Sequence, residues 1–215
     1  ESGSFAAALN PEPLGCTMAR KFVLASGSPR RQQLLAEAGF LFDVVVPAVR
    51  ESSSDALTIR ELTTCNATRK AMAVARTRPN ATVLGADTLV ALDRKIIGKP
   101  ATLAEAHRLL RRLSGREHQV CTAVFICAAA GQRVASFCVT SQVRFRVFSD
   151  EQITAYMAKI NPLDKAGGYA AQGEGAEIIA RIRGSYTNVV GLPMGETLRE
   201  LRKFGVRAGP VELPR

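Results

Sequence analysis

Two arginines, Arg30 and Arg31, stand side by side in the stretch LASGSPRRQQLLAEAG, residues 24–39. The stretch reads as a strand end, a turn through Ser26, Gly27 and Ser28, and then a helix. Ser28 is the expected cap and Pro29 the first helical residue. A helix mouth offers unpaired backbone N–H groups and about half a positive charge. The small residues before it let an anion approach the backbone, and the two serines add hydroxyl donors. Arg30 and Arg31 supply planar forks suited to phosphate oxygens. Together these residues predict a phosphate site; the alternative is a capped surface helix with solvated arginines. It is not a Walker loop, because Gly-x-x-x-x-Gly-Lys is absent.

Asp87 follows VLGA at the end of an apolar strand, where α/β folds place their ligands. It reads either as a reactive acid or as the cap of a turn. Its neighbour Thr88 is equally readable as a plain strand residue. Lys99 lies directly before Pro100, which holds that segment extended and aims the ammonium. Lys70 sits among alanines on a long helix; a solvated lysine is the bland reading of both. Glu51, in a polar loop, carries no signal alone. The stretch DKAGGYAAQG, 164–173, suggests a loop that closes on something or a glycine-rich surface turn. Gln172 within it has a donor and an acceptor, enough to read the edge of a planar base. Neither His107 nor His118 pairs with a nucleophile motif, so a histidine-based triad is not expected.

The elements that must position these groups follow from pattern. Residues 21–26, 42–47 and 81–92 read as strands, the last interrupted at Gly-Ala-Asp-Thr. Asp93 and Arg94 turn that strand back into 95–100. Helices are expected over 29–38, 58–76, 103–113, 149–159 and 194–204. The runs 118–129 and 133–148 around Gly131 give the strongest hairpin signal. Residues 176–184 and 187–193 are strand or loop candidates. Helices between strands plus one plain hairpin predict an α/β fold with a mixed, twisted sheet and flanking helices.

Composition bounds the rest. The chain has 215 residues, with 29 Lys and Arg against 19 Asp and Glu, for a net charge of +10. That excess reads either as a basic, soluble surface or as a site for a polyanionic partner such as nucleic acid, nucleotide or anionic membrane. The basic residues are scattered and never cluster beyond pairs, and there is no Trp, so a nucleic-acid surface is not expected. No run of about 18 apolar residues is present, so no membrane span is expected. The five cysteines, at 16, 65, 121, 127 and 138, show no zinc spacing and read as free thiols of a reducing cytoplasm. Residues 1–17 fit the rest badly. They read as a cloning-derived leader or a disordered native extension ahead of a start at Met18. Residues 18–207 are expected to form one catalytic domain, with 208–215 as a tail.

LASGSPRRQQLL, GADTLV, GKP, LSGREHQVCTAV, DKAGGYAAQG and VVGLP occur in one order. With these motifs the chain resembles the Maf family of nucleoside triphosphate pyrophosphatases from about Phe22 to Phe204. The resemblance implies two lobes around a deep cleft, and hydrolysis of a nucleoside triphosphate between its α and β phosphates. It implies a divalent cation (Mg²⁺, Mn²⁺ or Co²⁺), a cytoplasmic homodimer, and links to nucleotide house-cleaning and arrest of cell division. By resemblance Asp87 is the proton acceptor, and Glu51, Lys70 and Lys99 complete the charged cleft. Glu51 and Asp87 together are expected to hold the cation, and the sequence leaves open which of them is base and which is ligand. Arg30, Thr88 and Gln172 fall where the family sorts substrates and match its dTTP/UTP branch. The branch acting on 7-methyl-GTP has Trp, Gln and Glu there. Ala171 departs from the larger aliphatic residue that usually precedes the glutamine. The alternative to an enzyme is a regulatory protein that binds nucleotides or nucleic acid without essential turnover.

Overall fold

The structure, a computed structural model, describes residues 21–209 apart from Asp55. The leader 1–17, Cys16 and all of the tail but Ala208 and Gly209 lie outside the described residues. Gly209 donates its N–H to Gly39 O at 2.8 Å, so the described end of the chain returns to the first helix.

One seven-stranded sheet organises the chain. Strands β1 (Phe22–Ala25), β2 (Asp43–Val44) and β3 (Thr82–Leu92) run parallel, with β1 in the middle. Strands β5 (Glu117–Ala128), β6 (Arg133–Phe145) and β7 (Ile179–Arg183) continue antiparallel from β3. A turn through Asp93 and Arg94, both with positive φ, folds β4 (Lys95–Ile97) back onto the end of β3. Helices α1 (Pro29–Glu37), α2 (Ile59–Thr77), α3 (Leu103–Leu113), α4 (Asp150–Lys159), α5 (Tyr186–Val190) and α6 (Met194–Lys203) flank the sheet. The mixed α/β sheet and the hairpin of β5 and β6 agree with expectation.

Three local expectations are corrected. The strand expected over 42–47 is in register with β1 only at Asp43 and Val44, with one further bond from Val45 N–H to Leu24 O at 3.0 Å. The break expected at Gly-Ala-Asp-Thr is absent, and β3 is continuous through it. The β-branched pair in 187–193 is helical, in α5, because Ser185 caps that turn by accepting the N–H of Asn188.

Strand alternation divides the core. Val23, Ala25 and Val83 face α2 through Ala71, Val74 and Ala75. Phe22, Leu24, Leu84 and Ala86 belong to the larger cluster on the other face, with Leu34 and Leu35 of α1 and Leu201 of α6. Gly85 explains how close α2 lies. A Cβ there would stand 2.6 Å from the Ala67 carbonyl oxygen and 2.7 Å from the Ala71 nitrogen. Only a bare α-carbon lets the helix backbone rest on β3 at this point.

His118 is a core group, 2% exposed, with Nε2 2.8 Å from the Tyr169 hydroxyl and Nδ1 without a partner. Burial pushes its pKa down from 6.5 to about 4. Between those values the unfolded chain binds the proton and the folded chain does not, so stability falls as pH drops through that window. At about 1.4 kcal/mol per unit, this withdraws ~3 kcal/mol. Urea unfolding at pH 7 and pH 4.5 is expected to show that loss in the wild type and less of it in His118→Asn. Equal losses in both proteins would assign it elsewhere.

Candidate active site

The site opens where β3 loses a neighbour. β1 accompanies it from Thr82 to Gly85, and β4 rejoins the same edge only at Val90. Residues 86–89 therefore face a gap at the carboxyl end of β1, just before α1 begins. A cavity of about 640 Å³ fills this gap. Ser26, Ser28, Arg30, Arg31, Glu51, Lys70, Asp87, Thr88 and Lys99 all line it. Gln172 does not. It is half-buried and extended, directly after Ala171 of the wall, with no side-chain hydrogen bond among the described residues.

Alternation along β3 sends Asp87 and Thr88 to opposite faces. Asp87 meets α2. Lys70 Nζ lies 2.6 Å from Asp87 Oδ1 and 2.6 Å from Glu51 Oε1. Asp87 and Lys70 are nearly enclosed, whereas the Glu51 side chain is 45% exposed. Burial would raise the Glu51 carboxyl. The hydrogen bond and charge of Lys70, with Lys99 and Arg31 behind them, outweigh burial and hold it below its ordinary value.

Asn66, one turn before Lys70 on α2, is a site residue that the sequence analysis missed. Its amide donates to Asp87 Oδ2 at 3.4 Å and to Ser52 O at 3.3 Å, and accepts the Ser52 N–H at 2.8 Å. Arg69 adds a hydrogen bond to the Ser52 hydroxyl. These contacts fix the loop beside Glu51. The available signal was only its place one turn before Lys70, on the same face of the helix.

Thr88 meets the opposite wall. Arg31 is buried, and donates from Nε to Gly191 O at 2.8 Å, from Nη1 to Ser26 Oγ at 3.1 Å and from Nη2 to Thr88 Oγ1 at 3.0 Å. Thr88 in turn lies 2.9 Å from Thr122 Oγ1, which donates to Asn188 O at 2.9 Å. Asn188 spans to Val120 O and Ser141 Oγ. The second arginine is thus built into the wall, with two of its five N–H groups left over. Burial lowers its pKa, against the pull of Asp87.

Arg30 is the freer of the two. Its Nη1 lies 3.6 Å from Asp164 Oδ2 across the cavity. Ser28 occupies the cap position, yet its side chain caps nothing, and Ser26 Oγ accepts its N–H instead. The first N–H groups of α1 are left for an anion. The glycine-rich segment leans on the GKP turn through Gly167 N–H to Gly98 O at 3.0 Å. Gly167 and Gly168 have φ of +73° and +74°, which L side chains resist. Tyr169 is pinned there by the His118 hydrogen bond and edge-on contact with Phe145.

The family model described as Maf-like protein matches residues 21–204. The chain belongs to the Maf family. A dTTP/UTP pyrophosphatase of Symbiobacterium thermophilum is 47% identical over 186 residues, 86% of this chain and 95% of the relative. One of Bacillus cytotoxicus is 43% identical over 185 residues, covering 86% of this chain and 96% of its own. One of Bacillus velezensis is 41% identical over 191 residues, 89% of this chain and 100% of the relative.

A divalent cation is implied for Maf pyrophosphatases, and the donor set fits one. Asp87 Oδ2 has a single weak partner, and Glu51 is open to solvent on one side. No cluster of three or more His, Cys, Asp or Glu able to hold a metal occurs among the described residues. Two carboxylates without a full protein cage suit Mg²⁺, which uses one or two acids together with waters and substrate phosphates. No helix among the described residues is long and apolar enough to cross a membrane.

Proposed function

We propose that this chain is a nucleoside triphosphate pyrophosphatase that converts dTTP and UTP to the monophosphate and pyrophosphate, as a house-cleaning enzyme. The observation that carries this is the Lys70 ammonium, 2.6 Å from both Glu51 and Asp87, facing an arginine-bearing helix mouth across one cavity. The names of the relatives support the substrate pair, and they do not favour a regulator without turnover. The catalytic domain is taken as residues 18–207, a cytoplasmic homodimer by family resemblance, with described cysteines that are all free. Arrest of cell division is an extension of the same resemblance.

The triphosphate brings concentrated negative charge, and more develops on the bridging oxygen as pyrophosphate leaves. Stabilising that charge is the main task. Arg30, Lys99 and the free N–H groups of α1 take the phosphate oxygens, while Arg31 backs them from the wall. Water attacks the α phosphorus in line, and Asp87 accepts its proton. The bond from the α phosphorus to the bridging oxygen breaks, and its electron pair departs with pyrophosphate. Lys70, paired with Asp87 Oδ1 at 2.6 Å, keeps that carboxylate aimed until then. Glu51 and Asp87 would hold the cation, which when bound neutralises phosphate charge and acidifies coordinated water.

Arg30 must exchange Asp164 for a phosphate. Asp164→Asn removes that competition, and KM for dTTP is expected to fall by up to about five-fold with kcat unchanged. A higher KM would mean that Asp164 positions Arg30 rather than restraining it.

Gln172 would read uracil or thymine by donating to a carbonyl and accepting from N3–H, with a turn of the free amide towards the cavity. A mismatched amide loses pairing worth about 1–3 kcal/mol. The test is pyrophosphate release from a panel of nucleotides with Mg²⁺, Mn²⁺ or Co²⁺. Wild type is expected to prefer dTTP and UTP over CTP, and Gln172→Ala to lose most of that preference. No pyrophosphate from any nucleotide would overturn the function; an unchanged preference in the variant would overturn the role of Gln172.

A further inference from the structure

The face of the sheet beneath α2 carries chemistry that nucleotide hydrolysis does not use. In the pairing of β5 with β6, Cys121 stands opposite Thr140 and Ala123 opposite Cys138. The two cysteines are therefore diagonal neighbours on one face. Their Sγ atoms lie 2.9 Å apart. Cys121 is fully buried, under hydroxyls of Thr63 and Thr140. Cys138 is half-buried and lines a surface recess with Arg60, Thr64, Cys65 and Phe137. One thiol of the pair is thus reachable and the other is protected.

The two thiols are hydrogen-bonded to each other. The hydrogen bond from Cys138 brings Cys121 down to about 7, and the same contact holds Cys138 up. Arg60 favours the thiolate at both positions. A thiolate touching a thiol is the arrangement from which a disulfide closes. Cys127 differs: burial alone pushes its thiol up to about 11.

We propose that Cys121 and Cys138 form a redox-active dithiol, which hydrogen peroxide entering by the recess beside α2 closes to a disulfide. The Cys138 proton passes to Cys121 along their hydrogen bond, the reachable Cys138 sulfur attacks one peroxide oxygen, the O–O bond breaks, and the departing hydroxide leaves as water with a proton. The sulfenic acid so formed is attacked by the second sulfur. The S–S bond forms, the S–OH bond breaks, and hydroxide takes the remaining proton. Two thiols and one peroxide give one disulfide and two waters; the sulfurs lose two electrons and the peroxide oxygens gain them.

The position ties the couple to the cavity. Cys121 precedes Thr122, whose hydroxyl supports Thr88 and through it Arg31. Drawing the sulfurs together strains β5 at that residue. The expected effect on turnover rests on the proposed pyrophosphatase function; the thiol chemistry does not.

Reduced, full-length protein is treated with a modest molar excess of hydrogen peroxide, alkylated with iodoacetamide while unfolded, and digested with trypsin. Peptides 117–133 and 134–144 are expected as one linked species, lighter by two hydrogens than their sum. Cys127 shares the first peptide, so the link must persist in Cys127→Ala and vanish in Cys138→Ser. Full alkylation of Cys121 and Cys138, or a link from Cys138 to Cys65 or Cys127, overturns the proposal. Pyrophosphate release is expected to fall on oxidation, recover with dithiothreitol, and stay constant in Cys138→Ser. A link without any change in rate would disprove the coupling to Arg31 alone.

Discussion

Asp87→Asn is expected to fold like the wild type and to lose about 10²–10⁴-fold of its pyrophosphate release. The amide keeps the shape of the carboxylate in a nearly closed position, 6% exposed at the side chain. Lys70 keeps Glu51 as a partner at 2.6 Å, so the ammonium is not stranded. Under the proposed mechanism, what disappears is the acceptor for the proton of the attacking water, together with one of two acids available to a cation. Thermal unfolding by circular dichroism checks the fold, and a coupled pyrophosphate assay checks the turnover. Activity within ten-fold of wild type would remove Asp87 from the chemistry.

Lys70→Met is expected to damage both stability and turnover. It leaves the buried Asp87 carboxylate without its cation, and breaking a buried pair from one side costs about 3–5 kcal/mol. Glu51 can turn to water, because its side chain is 45% exposed, so the cost falls mainly on Asp87. The sign with pH follows. In the wild type the Glu51 carboxyl is held low, chiefly by Lys70 against the opposing effect of burial. Its contribution is present above the unfolded pKa and fades as pH drops through the folded one. In the variant that contribution is absent, so the stability gap between the two proteins narrows in acid. Turnover should drop on the order of 10²–10³-fold, as for loss of a preorganised charge partner. Lys70→Arg, which keeps the charge without the compact fit, should recover stability more than rate. A gap that stays constant from pH 7 to well below the ordinary carboxylate range would show that Lys70 acts by packing alone.

The acid, the arginine pair at the helix mouth and the lysine before Pro100 could be read from residue type, although Asp87 lies within the continuous β3 and not at the strand end expected of it. Their convergence on one cavity could not, because it depends on the gap between Gly85 and Val90, which only the pairing of β3 with β1 and β4 reveals. Asn66 stayed hidden because its partners, Ser52 and Asp87, lie far off in sequence and nothing local ties it to them. Arg30 and Arg31 look alike in the chain, yet one is half-free and the other is committed to Ser26, Thr88 and Gly191, a difference set by tertiary acceptors. The β-branched pair before Gly191 suggested a strand, and a capping serine made it a helix. Gly85 was legible as a small residue, but its task of seating α2 was not.

Hydrolysis of dTTP in water enriched in ¹⁸O, followed by mass spectrometry of both products, bears most directly on where the triphosphate is held. With Asp87, Lys70 and Glu51 acting at the α phosphorus, the heavy oxygen is expected in the monophosphate and not in pyrophosphate. Label in pyrophosphate, or release of orthophosphate with a nucleoside diphosphate, would place the attack at another phosphorus and contradict the arrangement of these three side chains.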